Sequence, residues 1–252
     1  MVTPANIINV VSDQFGVHRA TVSMHDRMLV TSGHRKITGR GNAARGSPDS
    51  AAALLLAVAA TPLSGAAIKE TAIHYERYAR LLATCHGGGW DSWQVKHLDQ
   101  LAPGHSLHEA IAAVIVALGA GIAQACDLFE EAVPDTDDIL TDLAIDVELD
   151  APTPSAAIFI RAEQWRYHLM GELPAGGDLT IEQRAIFQDE RVAQFESRVE
   201  YRQTFEDTTE YLDTLPLHPI VGRRSPDLKQ KRVFTIATLA HVAALFSDRV
   251  KL

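Results

Sequence analysis

The feature that most constrains the fold is a change in the spacing of apolar residues at an acidic, turn-rich segment, 133–138. Before this segment, apolar residues recur every three or four positions, as on one side of a helix. After it, apolar and polar residues alternate from 143 to 149, which is typical of a strand with one buried face. The sequence therefore predicts an α+β fold, with helices first and an antiparallel sheet after them.

Three units are predicted on this basis: residues 1–46, a helical core region at 47–132, and an α+β region at 139–252. The last is expected to serve dimerisation or to bind a ligand or a partner. The middle unit should contain helices at 50–60, 64–84 and 106–130. The last unit should contain strands at 143–149 and 195–205, one long or two short strands at 156–169, and a short helix at 180–189. Residues 229–232 should lead into a strand end followed by a covering helix within 233–246.

The composition indicates a cytoplasmic protein with a real core. The chain has 252 residues, of which 46% are hydrophobic, and only two cysteines, so a disulfide framework is not expected. The longest apolar run, 110–123, is too short to span a bilayer, and the first residues do not read as a signal peptide.

Residues 17–41 form the one segment whose residue order suggests a function. A first helix closes at Gly16, and a second helix, 19–31, follows after a short turn. The run 34–41 then alternates in character and has a glycine-rich tip, which favours a short basic hairpin. This order predicts an N-terminal winged helix-turn-helix.

The charge distribution favours DNA as its partner. Residues 1–46 hold six lysines or arginines against two acids, a formal charge of +4, whereas the whole chain carries -9, so the remainder carries -13. A basic end on an acidic body directs the molecule to a polyanion through one face. The alternative from the same residues is a small helical hairpin with a solvated basic loop.

The segment resembles the DNA-binding region of GntR-type winged-helix regulators. The matching residues are Val17, Arg19, Ala20, Thr21, Val22, Leu29, Gly33, Gly39, Arg40 and Gly41. It departs from that family at His18, where a serine is usual, and in having one helix before the motif instead of two. The neighbourhood is also similar to uncharacterised DNA-binding proteins of phages and prophages in GC-rich bacteria.

The expected contacts with DNA divide between the second helix and the wing. Major-groove residues are Arg19, Thr21, Ser23 and His25, and Arg27 reaches a phosphate or a base edge. Arg35, Lys36 and Arg40 clamp the backbone or the minor groove, and His34 and Arg45 complete the predicted DNA-binding set. A second basic cluster at 223–232 could extend the contact or solvate a loop.

No residue pattern predicts catalysis, a cofactor or a metal site. His105 and His108 are spaced as helical metal ligands can be, but with Cys85 and His86 they match no closed zinc pattern. The triglycine that begins at Gly87 does not match a phosphate-binding loop of the Walker type. The nucleophile turn Gly-x-Ser-x-Gly is also missing from the sequence.

The sequence therefore predicts a non-enzymatic, sequence-specific transcriptional regulator of phage or prophage type that binds double-stranded DNA as a homodimer. Two alternatives stay open. One is a packaging or recombination accessory protein resembling a small terminase subunit. The other is an inhibitor or antitermination factor whose acidic body contacts a host protein such as RNA polymerase.

Overall fold

The structure is a computed structural model, and it describes residues 2–36, 45–62, 65–84, 95–136, 139–167, 188–204 and 230–247. Six α-helices and five strands lie within these ranges. The strands form one antiparallel sheet, so the predicted α+β class is confirmed. No helix in these ranges combines the length and apolar character needed to cross a bilayer.

Two helices open the chain, and local signals set their ends. Helix α1, Pro4–Phe15, begins after Thr3, whose hydroxyl accepts a hydrogen bond from the backbone N–H of Asn6. It ends at Gly16, which adopts a left-handed conformation with φ of 61°. Helix α2, Arg19–Thr31, follows after two further residues and has its predicted bounds.

Three further helices make up the middle of the chain. Helix α3 is Pro48–Ala60, with Ser47 as the predicted N-cap and Pro48 in the first turn. Helix α4, Thr71–Ala79, is preceded by a 3-10 turn at Gly65–Glu70, and helix α5 is Leu107–Gly119.

Two predicted helices in this region were too long. The helix at 64–84 ends at Ala79, because Leu82–Thr84 forms strand β1 and pairs with the sheet. The helix at 106–130 ends at Gly119, two residues before Gly121 with φ of 101°, and a 3-10 turn at Ala125–Asp127 follows.

The strands predicted at 143–149 and 195–205 are longer in the structure, whereas the one predicted at 156–169 keeps about its predicted length. Four strands follow β1 in the chain. They are β2 Ile139–Ala151, β3 Ser155–Tyr167, β4 Gln188–Arg202 and β5 Gln230–Thr235. The sheet order is β1-β4-β3-β2-β5, with every neighbouring pair antiparallel. The final helix, α6, is Ile236–Ala244. The helix predicted at 180–189 falls mostly outside the described residues, and its last two positions belong to β4.

One hydrophobic core joins the helices to one face of the sheet. Val11 of α1, Leu55 of α3, Ile111 of α5, Ile158 of β3 and Leu239 of α6 are all buried in the same cluster. The covering helix predicted near the C-terminus is thus present as α6. Buried residues from all three predicted units belong to this cluster, so the N-terminal helices rest on the same core as the sheet.

Candidate nucleic-acid interface

Helix α2 has one buried side and one exposed side. Val22, His25, Asp26 and Leu29 follow the helical repeat and are buried. On the other side Arg19 and Arg27 are exposed, two turns apart. The exposed side therefore carries one arginine at the first residue of the helix and another about two turns later.

Small residues lie between these two arginines. Thr21 and Ser23, which the sequence assigns to base contacts, are half-buried. Met24 lies nearby with 49% of its surface exposed. Met24 is not among the contacts predicted from the sequence, although apolar side chains can contact the methyl group of thymine in the major groove. The sequence signal that could have identified Met24 as a contact is a methionine on an otherwise polar helix face.

The start of α2 is fixed by the turn that precedes it. The Ser12 hydroxyl donates to the Val17 carbonyl oxygen at 2.7 Å, across the left-handed Gly16. His18 is the N-cap, and its ring Nδ1 accepts a hydrogen bond from the Ala20 backbone N–H at 3.2 Å. His18 thus performs the capping that a serine would perform at this position.

His25 does not lie on the exposed side, and this removes it from the predicted contacts. It is 4% exposed, and its Nδ1 lies 2.7 Å from the Thr71 hydroxyl oxygen. The Thr71 hydroxyl donates its only proton to the Ile68 carbonyl oxygen, so the Nδ1–H of His25 is the donor to Thr71. Burial lowers the pKa of His25 to about 4, which keeps the ring neutral near pH 7.

Arg35 is also buried, with 3% of its surface exposed, and it forms an ion pair with Asp26. The chain reverses at Gly33, with φ of 79°, and the backbone N–H groups of His34 and Arg35 both donate to the Leu29 carbonyl oxygen. This reversal carries Arg35 back along α2, so its guanidinium cannot reach a phosphate. Burial also lowers the pKa of Arg35.

His34 is half-buried and takes part in a polar network that the sequence did not predict. Its ring lies 5.1 Å from that of Tyr75. The Tyr75 hydroxyl lies 3.2 Å from Nδ1 of His108, whose Nε2 lies 2.8 Å from a carboxylate oxygen of Asp49. Burial, followed by the nearby carboxylates of Asp49 and Glu76, raises the pKa of Tyr75 to about 12, so its hydroxyl stays protonated.

The network accounts for one member of the predicted histidine pair. His105 makes separate contacts: its Nδ1 lies 2.9 Å from the Ala102 carbonyl oxygen and its Nε2 lies 3.0 Å from the hydroxyl of buried Tyr201. His105 and His108 therefore bond to different partners. Within the described ranges, no group of three or more histidine, cysteine, aspartate or glutamate side chains is placed to hold a metal ion.

The predicted wing is described only at its two ends. Residues 34–36 form no strand, and 37–44, including Arg40, lie outside the described residues. Lys36 at one end and Arg45 at the other are exposed. The Gly46 N–H donates to the Val2 carbonyl oxygen at 3.0 Å, so the second end is fastened beside the start of α1.

The second basic cluster contributes little free charge where it is described. The guanidinium of Arg232 donates to the carbonyl oxygens of Ala59 and Thr61 at 2.6 and 2.7 Å, which caps the end of α3. Lys231 is paired with Glu148 at 2.9 Å. Its other cations, Arg223, Arg224 and Lys229, lie outside the described residues.

The candidate interface therefore consists of the exposed side of α2 together with Lys36 and Arg45. Of the contacts predicted on α2, the interface includes Arg19, Thr21, Ser23 and Arg27. His25 and Arg35 are excluded from it because both are buried. In comparisons with known proteins, the chain matches no protein-family model, no curated protein and no solved structure.

Proposed function

We propose that this protein is a sequence-specific DNA-binding transcriptional regulator that reads double-stranded DNA with the exposed side of α2. The observation that carries the proposal is the division of α2 into a buried stripe and an exposed side bounded by Arg19 and Arg27. A recognition helix needs such a division, because one side must be held by the core while the other enters the major groove.

Charge supports the same assignment. The buried pair of Arg35 and Asp26 is internally neutral, so the formal charge of +4 over residues 1–46 belongs to the other ionisable groups. Arg19, Arg27, Lys36 and Arg45 are four of these and are exposed. Each cation that reaches a phosphate releases counterions, which drives association at low salt.

In the proposed complex, Thr21 and Ser23 contact base edges and Met24 contacts a thymine methyl group. Arg27 binds a phosphate or a base edge, and Lys36, Arg40 and Arg45 bind phosphates beside the helix. A homodimer would place two such helices on two half-sites, which multiplies sequence discrimination. The winged arrangement, the phage or prophage setting and the absence of enzymatic activity belong to this proposal as well.

The test is selection from random duplex DNA at moderate salt, followed by binding measurements on the enriched sequence. The variant Arg19→Ala/Arg27→Ala should bind at least about tenfold more weakly, and the salt slope should fall by about one for each phosphate that is no longer bound. Arg198→Ala/Arg202→Ala is the matched control, because it also removes two arginines, whose side chains are 48% and 64% exposed but lie on β4. No enriched sequence, or equal weakening in both variants, would overturn the proposal.

A further inference from the structure

Strand β4 has a long edge that no described strand covers. It pairs with β3 between residues 188 and 202, with register shifts at Asp189 and Val192, but β1 meets it only at residues 200–202. Residues 188–199 thus pair on one side only within the described part of the sheet. The regular part of this edge, 193–199, presents alternating N–H and C=O groups that another extended chain can bind.

A groove runs beside this edge. It has a volume of about 610 Å³ and is lined by four consecutive residues of β4, 194–197, together with residues from 95–99 and 129–131. Its apolar surface includes Phe129 and Phe195, whose rings are stacked with centroids 5.4 Å apart. The two rings pack against a small buried cluster that contains Ala125 and Ala162, so their position is set by the fold.

The groove is acidic. Asp99, Glu130, Glu131 and Glu196 line it and are exposed. Its one lysine, Lys96, donates from Nζ to the Cys126 carbonyl oxygen at 3.0 Å. Four carboxylates against one amino group repel nucleic acid and attract cations, and the faces of stacked phenylalanines also favour cationic side chains.

We infer that β4 and this groove bind an extended, cationic polypeptide segment, which adds to the sheet as a strand along residues 193–197, the regular part of the edge beside the groove. The backbone edge would supply hydrogen bonds, the carboxylates would select lysine or arginine, and Phe129 and Phe195 would contact the aliphatic parts of these side chains. The inference is independent of DNA binding, because none of these residues belongs to the α2 surface. It gives the acidic body of the molecule a protein partner of defined chemistry.

The test uses the full chain and a labelled peptide, acetylated Arg-Val-Arg-Val-Arg-Val amide, with fluorescence anisotropy at two salt concentrations. The peptide should bind, more weakly at high salt, and a Glu-Val counterpart should not bind. The same peptide N-methylated at every residue keeps its charge but cannot donate to a strand, so its affinity should fall at least about tenfold.

The protein variant is Glu130→Gln/Glu131→Gln, which should weaken peptide binding about fivefold, because two exposed charge pairs are removed. Both residues are exposed, so the fold should be unaffected. The matched control is Glu70→Gln/Glu76→Gln, which makes an equal charge change at the N-cap of α4 and inside α4.

Amide hydrogen exchange provides the structural readout. Backbone amides within 193–197 should exchange more slowly when the peptide is present. Three results would each overturn the inference: equal binding of the N-methylated peptide, equal weakening in the two glutamine variants, or a dimer by mass in which the β4 amides are protected without peptide. The last result would mean that a second copy occupies the edge.

Discussion

Asp26 and Arg35 form a buried ion pair between the middle of α2 and the segment that follows it. Because both partners are shielded from water, the pair holds residues 34–36 against the helix and sets where the predicted wing begins. It also excludes both residues from a contact with DNA. The pair therefore acts in the proposed function by positioning the segment that bears Lys36.

Removal of one member of this pair should lower the free energy of unfolding strongly, whereas removal of both members should lower it much less. Asp26→Leu and Arg35→Met each leave one buried charge without its counter-charge, and such losses amount to about 3–5 kcal/mol. The double variant Asp26→Leu/Arg35→Met should recover much of this in urea unfolding. Strictly additive free energies of unfolding would contradict the pairing.

Acidification should destabilise the protein through His25. The pKa of His25 is about 4 in the folded chain and 6.5 in the unfolded chain, so the unfolded state binds more protons between these values. His25 should therefore contribute a loss of stability as the pH falls from 6.5 to 4, amounting to at most about 3 kcal/mol.

The measurement is the free energy of unfolding against pH for the wild type and for His25→Leu, which cannot titrate at this position. The difference between the two proteins should narrow as the pH falls through this window. A constant difference would show that His25 is not held neutral in the fold.

Gly16 should tolerate asparagine better than alanine. Its φ of 61° is left-handed, and an added Cβ would find no atom within 4 Å, so the cost comes from the backbone alone. Gly16→Ala should lower the free energy of unfolding by about 1 kcal/mol, and Gly16→Asn by less. Thermal unfolding of the two variants checks this, and equal losses would indicate another cause.

Thr21 and Ser23 should determine which DNA sequence is bound, and Arg27 should determine the affinity. Thr21→Ala and Ser23→Ala should relax the base preference at one or two positions, with little change in the salt slope. Arg27→Ala should weaken binding to all sequences if Arg27 meets a phosphate. Selection and sequencing with each variant separates these effects, and identical motifs from Thr21→Ala, Ser23→Ala and the wild type would place base reading elsewhere.

Loss of the Arg232 side chain should lower the free energy of unfolding more than loss of the neighbouring Lys231 side chain. Arg232→Met removes two charge-assisted hydrogen bonds to the end of α3, at an expected cost of about 2 kcal/mol. Lys231→Met removes one exposed pair with Glu148, worth about 0.5 kcal/mol. Denaturant unfolding of both variants is the check, and similar costs would be inconsistent with the capping role of Arg232.

Where a segment's structure follows from its own residues, the sequence predicted it well. Ser47 and Pro48 mark the start of α3, and Gly16 marks the end of α1, because caps and turns act within a few residues. Alternation predicted the strand around 143–149. Strand β1 was missed, since three residues show little periodicity and its pairing partner in β4 lies more than 100 residues away.

The candidate site divides in the same way. The sequence determined that α2 is amphipathic and that the N-terminal region is basic, because spacing and charge are properties of the chain itself. Only the tertiary structure decided that His25 bonds to Thr71 and that Arg35 pairs with Asp26, because burial depends on what packs against a residue and not on the residue's own polarity. A polar side chain in a basic segment looks the same in sequence whether it faces solvent or a neighbouring helix, and here the packing of α4 and the reversal at Gly33 made that choice.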